Sequence, residues 1–242
     1  DFRHWPQPDL ILVPDSQDAP TDDYYTNCYS PYPGKTDLHL MFPAIYRRAR
    51  DTVEVQLAVS RDERNWSWPS RTPIIPDAPE YAGGIYPGPG LIELGADQWG
   101  LICPSEESLH NVGYYFEPEL TRGGELRWAL WQRDRLSALK AQEHGQVTTN
   151  KLEECSGQSL ILNYRTSPNG WIRVALVEPT LWPPARLDPM EGYGYDDCEP
   201  LRGDSLETEV RWKGGADLSF LKGKEICLRI ELCQAELFSL AL

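Results

Sequence analysis

Basic residues are scarce in this chain. Its 23 Lys and Arg stand against 37 Asp and Glu, giving a net charge of −14 and a pI near 4.7. Nucleic-acid binding needs Lys and Arg to neutralise phosphates, so this balance argues against it, and against an anionic membrane surface. A neutral or cationic partner suits the charge better. Long apolar runs are missing too. None reaches the roughly 18 to 20 residues that span a bilayer, and no secretory leader is recognisable. The six cysteines, Cys28, Cys103, Cys155, Cys198, Cys227 and Cys233, form no Cys-x-x-Cys. None sits at metal-ligand spacing from a histidine. They read as small buried thiols, not as a disulfide framework. Cys227 and Cys233 share one face of a predicted strand, too far apart to bond to each other. No Gly-rich phosphate loop and no Gly-x-Ser-x-Gly elbow occurs, so no cofactor is expected. Helical patterning is confined to about one turn, Asp217 to Leu221.

What the chain does have is dispersed turn formers, 21 Pro and 19 Gly, with nine Trp and 12 Tyr. Scattered turns suit many short strands. The aromatic residues serve either as packing or as platforms for sugar rings. A stretch around Trp66 occurs twice. Asp1, Arg3 and Trp5 repeat as Asp62, Arg64 and Trp66 at an offset of 61. The same offset relates Pro8 to Pro69, Tyr25 to Tyr86, Gly34 to Gly95 and Leu40 to Leu101. After a slip of one residue, Pro14-Asp15 matches Pro76-Asp77. A period of this size, holding several short strands and a tryptophan turn, marks a repeat architecture, here read as blades of a β-propeller.

Strands are predicted at Leu10–Val13, Tyr24–Cys28, Asp37–Phe42 and Val53–Val59, with residues 43–50 as a connection. One four-strand unit thus spans residues 23–76. A second begins at Glu80, with strands at Leu91–Leu94, Gln98–Cys103, Tyr114–Phe116 and Leu126–Trp131, and a polar excursion from Pro104 to His110. Beyond about Leu136, short strands at 159–163, 171–177, 206–212, 225–233 and 235–241 are separated by turn signals such as Pro168-Asn-Gly170. That is the pattern of an antiparallel β-sandwich. The expected fold is therefore all-β: a partial propeller of two to three blades over 1–135, then a sandwich over 136–242.

The motif Asp-x-x-x-Trp-x-x-Pro, followed by an apolar strand and Pro-Asp, resembles the blade repeat of five-bladed propeller glycoside hydrolases. That group holds the invertase–levanase and arabinanase–xylosidase families. Leu40–Tyr46 and Val55–Asp62 are similar to bacterial proteins described as putative glycosyl hydrolases. Arg135–Leu139, Gly145–Thr149, Leu160–Asn163, Asp197–Pro200 and Val210–Trp212 resemble their attached β-sandwich. The resemblance implies hydrolysis of a glycosidic bond by carboxylates at the propeller centre, and weakly a secreted or periplasmic location. The family motifs Trp-Met-Asn-Asp-Pro, Arg-Asp-Pro and Glu-Cys are absent. The chain also reads as entering the propeller partway round, as a truncated product or one piece of a ring completed by a second chain.

Glycoside hydrolysis usually takes two carboxyls. Carboxylates leading the innermost strands of successive blades converge, which nominates Asp23 and Glu80; the alternative is that both are solvated linker acids. Glu106 and Glu107 form a second acid cluster with His110, near Tyr114. A buried carboxylic acid there could protonate a leaving oxygen. Tyr86 and Trp99 are candidates for sugar stacking, or else core. Asp1 and Asp62 recur in a turn, so they read as backbone caps. Asp196, Asp197, Glu199 and Asp204 are weighed as calcium ligands against turn caps. The alternative to a hydrolase is a non-catalytic carbohydrate-binding or scaffold fragment.

Overall fold

The structure is a computed structural model. It describes residues 2–78, 83–111, 123–152, 158–179 and 187–242. It is all-β, with several antiparallel sheets and, among the described residues, one 3₁₀ turn at Ser219–Leu221. No helix there is long and apolar enough to cross a membrane. The chain divides into two compact units, Asp1–Gln132 and Arg133–Leu242.

The first unit opens with a four-strand meander. Its pieces are β1 (Asp22–Thr26), β2 (Tyr29–Pro31), β3 (His39–Met41), β4 (Ala44–Arg47), β5 (Thr52–Val55), β6 (Ala58–Ser60) and β7 (Trp66–Ser67). β3–β4 and β5–β6 are one hairpin in a single register: Met41 faces Ala58 and Ala44 faces Val55. The expected continuous strand over Val53–Val59 is thus split at Gln56–Leu57. Pro43 is the cause. It has no N–H for the ladder, although its carbonyl still accepts from Gln56 N at 3.0 Å. Half of the expected connection over 43–50 is strand, and only the turn after Arg47 connects. Asp51, at φ 56°, closes that turn in the left-handed region where Asp is tolerated. β1 and β2 are likewise one strand, kinked at Cys28 (φ 43°), where Phe42 N reaches both Asn27 O and Cys28 O.

The turn before β7 explains the repeat. Asp62 Oδ1 accepts the N–H groups of Arg64 (2.9 Å) and Asn65 (2.7 Å). These donors, Asn65 foremost, hold its carboxyl well below the usual range. The Trp66 indole donates to Glu63 O at 3.1 Å, and the Trp5 indole to Phe2 O at 3.3 Å, so both copies fold alike locally. Their surroundings differ. Trp66 stands edge-on to Tyr29, while Trp5 is 71% exposed. Leu10–Val13 forms no strand, because no described strand offers it a ladder.

A second meander follows: β8 (Gly84–Ile85), β9 (Ile92–Glu93), β10 (Gln98–Glu106) and β11 (Gly124–Gln132). β8 and β9 lie along one edge of β10, and β11 lies along the other. β10 runs three residues further than expected, since Ser105 and Glu106 still find partners on both sides. The expected strand at Tyr114–Phe116 lies outside the described residues.

The second unit is built on β12 (Leu139–Thr148), β13 (Ile161–Val177), β14 (Asp204–Glu209) and β15 (Cys227–Ala241), in sheet order β12-β15-β13-β14. Strands expected as separate pairs are fused into β13 and β15. Pro168-Asn-Gly170 belongs to a bulge within β13, set against the single residue Gln234 (φ 45°) of β15. Gly170 is needed there: a Cβ would meet Gln234 O at 2.4 Å and Cys233 O at 2.8 Å. One sheet face packs on Cys198, Leu201, Val210, Trp212, Leu218 and Leu221. That covering layer is held by single bridges, such as Cys198–Trp212 and Ile172–Leu201. The Trp212 indole donates to Val174 O at 2.7 Å, satisfying a buried N–H. Cys28, Cys103, Cys198, Cys227 and Cys233 are free thiols. Cys155 lies outside the described residues.

Candidate functional site

One polar group of the first unit is centred on His110. Tyr25 comes from β1, Tyr46 from β4, Asp51 from the hairpin turn, Tyr86 from the stretch after β8, and His110 and Asn111 from the segment after β10. The Tyr25 hydroxyl lies 3.0 Å from His110 Nε2, and the Tyr86 hydroxyl bonds Nδ1. A neutral imidazole donates once and accepts once, so the two phenols play opposite parts. The rings pack as well. Tyr46 and Tyr25 lie 4.6 and 5.2 Å from His110, centre to centre.

Asp51 fixes the histidine segment. Its carbonyl accepts His110 N at 2.8 Å. Its Oδ2 accepts Asn111 N at 2.9 Å, and its Oδ1 accepts both Asn111 Nδ2 and the Tyr46 hydroxyl at 2.8 Å. Burial, then the neighbouring Asp51 carboxylate, pushes the Tyr46 phenol up to about 12. Burial, then the charge of Glu106, raises Tyr86 further. Both phenols stay protonated at neutral pH. Tyr46 is 3% exposed and Tyr25 is 44% exposed, so the cluster runs from the core to solvent.

Of the residues nominated from sequence, Tyr86 and His110 meet directly. Glu106 ends β10, with its charge felt at Tyr86. Glu107 is half-buried in the turn that follows. Asp23 faces Tyr46 across the ladder and pairs with Arg48, whose guanidinium lies over the Tyr46 ring at 5.6 Å. Trp99 is corrected: it is 2% exposed, edge-on to Tyr32, and has no face open for a sugar. Glu80 and Tyr114 lie outside the described residues. Tyr25, Tyr46, Asp51 and Asn111 were missed. Tyr25 was within reach, because it is the repeat partner of Tyr86 and both grip one histidine.

A second acidic group is ion-paired within itself. Arg47 bonds Asp22 and Glu54, each at 2.5 Å, and Arg71 pairs with Asp15 and Asp18. In the second unit Asp197 faces Lys213 at 3.1 Å, and Asp204 faces Arg135 at 2.6 Å and Arg165 at 3.1 Å. Two of the four carboxylates weighed as calcium ligands, Asp197 and Asp204, are thus engaged by cations. Among the described residues no three His, Cys, Asp or Glu side chains group as metal ligands. Set against models of known protein families and against curated proteins, the chain matches none.

Proposed function

We propose that this is a carbohydrate-active protein, a glycoside hydrolase, and that it takes its saccharide at the cluster around His110. The observation that carries this reading is the pair of repeat-related tyrosines, Tyr25 and Tyr86, on the two nitrogens of one histidine. Protonated phenols, an imidazole and a half-exposed aromatic face suit a neutral polyhydroxyl ligand: hydroxyls need donors and acceptors, and C–H faces need an aromatic surface. The strong negative charge favours neutral or cationic saccharides over anionic ones. The two meanders support the blade reading of residues 1–135, and the sheet of the second unit supports a sandwich-like partner domain.

Glu106, the last residue of β10, is the acid candidate. Asp23 is the candidate second carboxyl. Its ion pair with Arg48 favours a second reading, a saccharide-binding module without turnover, because a paired carboxylate is a poor base. The two readings separate on hydrolysis of a panel of aryl glycosides. A hydrolase loses turnover in Glu106→Gln while keeping its fold and its sugar affinity. Absence of turnover in the unaltered chain, with sugar binding retained, would favour the binding module.

A further inference from the structure

Four of the described thiols are shut away. Cys28, Cys103, Cys198 and Cys227 are 8%, 3%, 5% and 5% exposed, and burial pushes each thiol up, Cys103 to about 11. Buried thiols in apolar surroundings are inert. Cys233 departs from the expectation of buried thiols. It is part-exposed on β15. Ile230 and Leu232 join the apolar core, so Glu231 and Cys233 point to the opposite face of the sheet.

The ladder supplies this thiol with a base. Cys233 is the cross-strand partner of His144 on β12 and of Trp171 on β13, which puts the three side chains in one row. His144 Nε2 lies 3.8 Å from the Cys233 sulfur, within reach of a sulfur hydrogen bond. The imidazole is exposed and stands edge-on to Trp171, 6.0 Å between ring centres. The next row on the same face holds Gln146, Glu231 and Arg173. The Arg173 guanidinium lies 4.9 Å from the centre of the Trp171 ring, and its Nε is buried without a hydrogen-bond partner. Arg229 follows one row further, over the Tyr195 ring.

We propose that Cys233 and His144 form a reactive thiol–base pair, and that Cys233 takes up half of a small-molecule disulfide as a mixed disulfide. Only a thiolate attacks a disulfide. His144, with its own proton on Nδ1, takes the thiol proton at Nε2. The Cys233 sulfur then attacks one sulfur of the reagent. The S–S bond of the reagent breaks, a new S–S bond forms at Cys233, and the departing thiolate takes the proton from the imidazolium. Cys233 is oxidised and the departing half is reduced, so the disulfide itself is the oxidant. Arg173 and Arg229 favour the sulfur anion on this face, and Glu231 between them opposes it. The inference concerns the second unit and does not rest on the saccharide reading.

Reaction of the full chain with an aromatic disulfide, dithiobis(nitrobenzoate), tests it. The rate is followed at each cysteine by peptide mass spectrometry, in the folded chain and in urea. Cys233 is expected to react ahead of the four buried thiols, and faster folded than unfolded. His144→Ala should slow Cys233 at least about tenfold, the low end of what a positioned base supplies, with circular dichroism unchanged. His144→Gln should be as slow, because an amide accepts a hydrogen bond but does not take the proton. Cys233 reacting no faster folded than unfolded, or as fast in either variant as in the unaltered chain, would overturn the proposal.

Discussion

In the first unit the interior includes Asp22, Thr52, Glu54, Gln56 and Ser105 among its buried side chains, with Arg47 bridging two of the carboxylates. In the second unit Leu160, Leu162, Leu176 and Leu228 fill one continuous apolar core, and Arg135 and Asn163 are the buried polar side chains among the described residues. Buried ion pairs add little to stability over well-packed hydrocarbon, yet breaking one is costly. Polar groups held in fixed geometry are what a binding site needs, and the first unit is where they collect. The second unit shows the contrary economy: long strands, bulges that bend them, and a dry face. The two units should therefore fail in different ways.

The largest expected effect is on the ionic interior. Arg47→Met leaves Asp22 buried without its cation and Glu54 with Arg50 alone, which costs about 3–5 kcal/mol. Hydrogen exchange resolved by unit should show the loss in Asp1–Gln132 alone; equal loss in both units would erase the distinction. Next is the apolar interior. Leu228→Ala removes a fully buried side chain and should cost about 2–5 kcal/mol, read as a lower denaturation midpoint with unchanged sugar affinity. Gly170→Ala should cost about 1–3 kcal/mol, because its Cβ would strike the carbonyl oxygens of Gln234 and Cys233. An alanine as stable as the glycine would mean the β13 bulge is not held as tightly as described.

Alkali should sharpen the contrast more gently. Tyr24 and Tyr46 are raised to about 12, the first by burial and then by its bond to Asp18, the second by burial and then by Asp51. A phenol whose folded pKa lies above its unfolded value near 10 stays protonated longer when folded. The folded state then binds more protons between these values, so stability falls as pH rises from about 10 toward 12. The first unit should unfold earlier in an alkaline titration. In acid, Asp204 works the other way in the second unit. The bond from Arg135 holds its carboxyl below the usual range, so the stability it contributes is present above about pH 4 and lost below.

Periodicity made the all-β class legible, and the tryptophan turn revealed the repeat, because both are written in local spacing. The Asp62 cap was legible for the same reason. Pro43 splitting a hairpin, or Pro168-Asn-Gly170 bulging where a turn was expected, depends on which strand lies opposite, and spacing alone does not say so. The same limit governs the site. His110 and Tyr86 stood out by residue type. Asp51 and Asn111 did not, since their importance is a set of hydrogen bonds across sixty positions of chain. Trp99 misled because an aromatic ring on a strand looks the same whether it faces a ligand or Tyr32.

The central claim, that the first unit takes a saccharide at the cluster, is tested most directly by calorimetric titration of neutral and amino sugars into the unaltered chain and into His110→Ala. Binding by the unaltered chain, weakened at least about tenfold in the variant, or about 1.4 kcal/mol, is the predicted result. No binding across the panel, or binding that ignores the loss of His110, would contradict it.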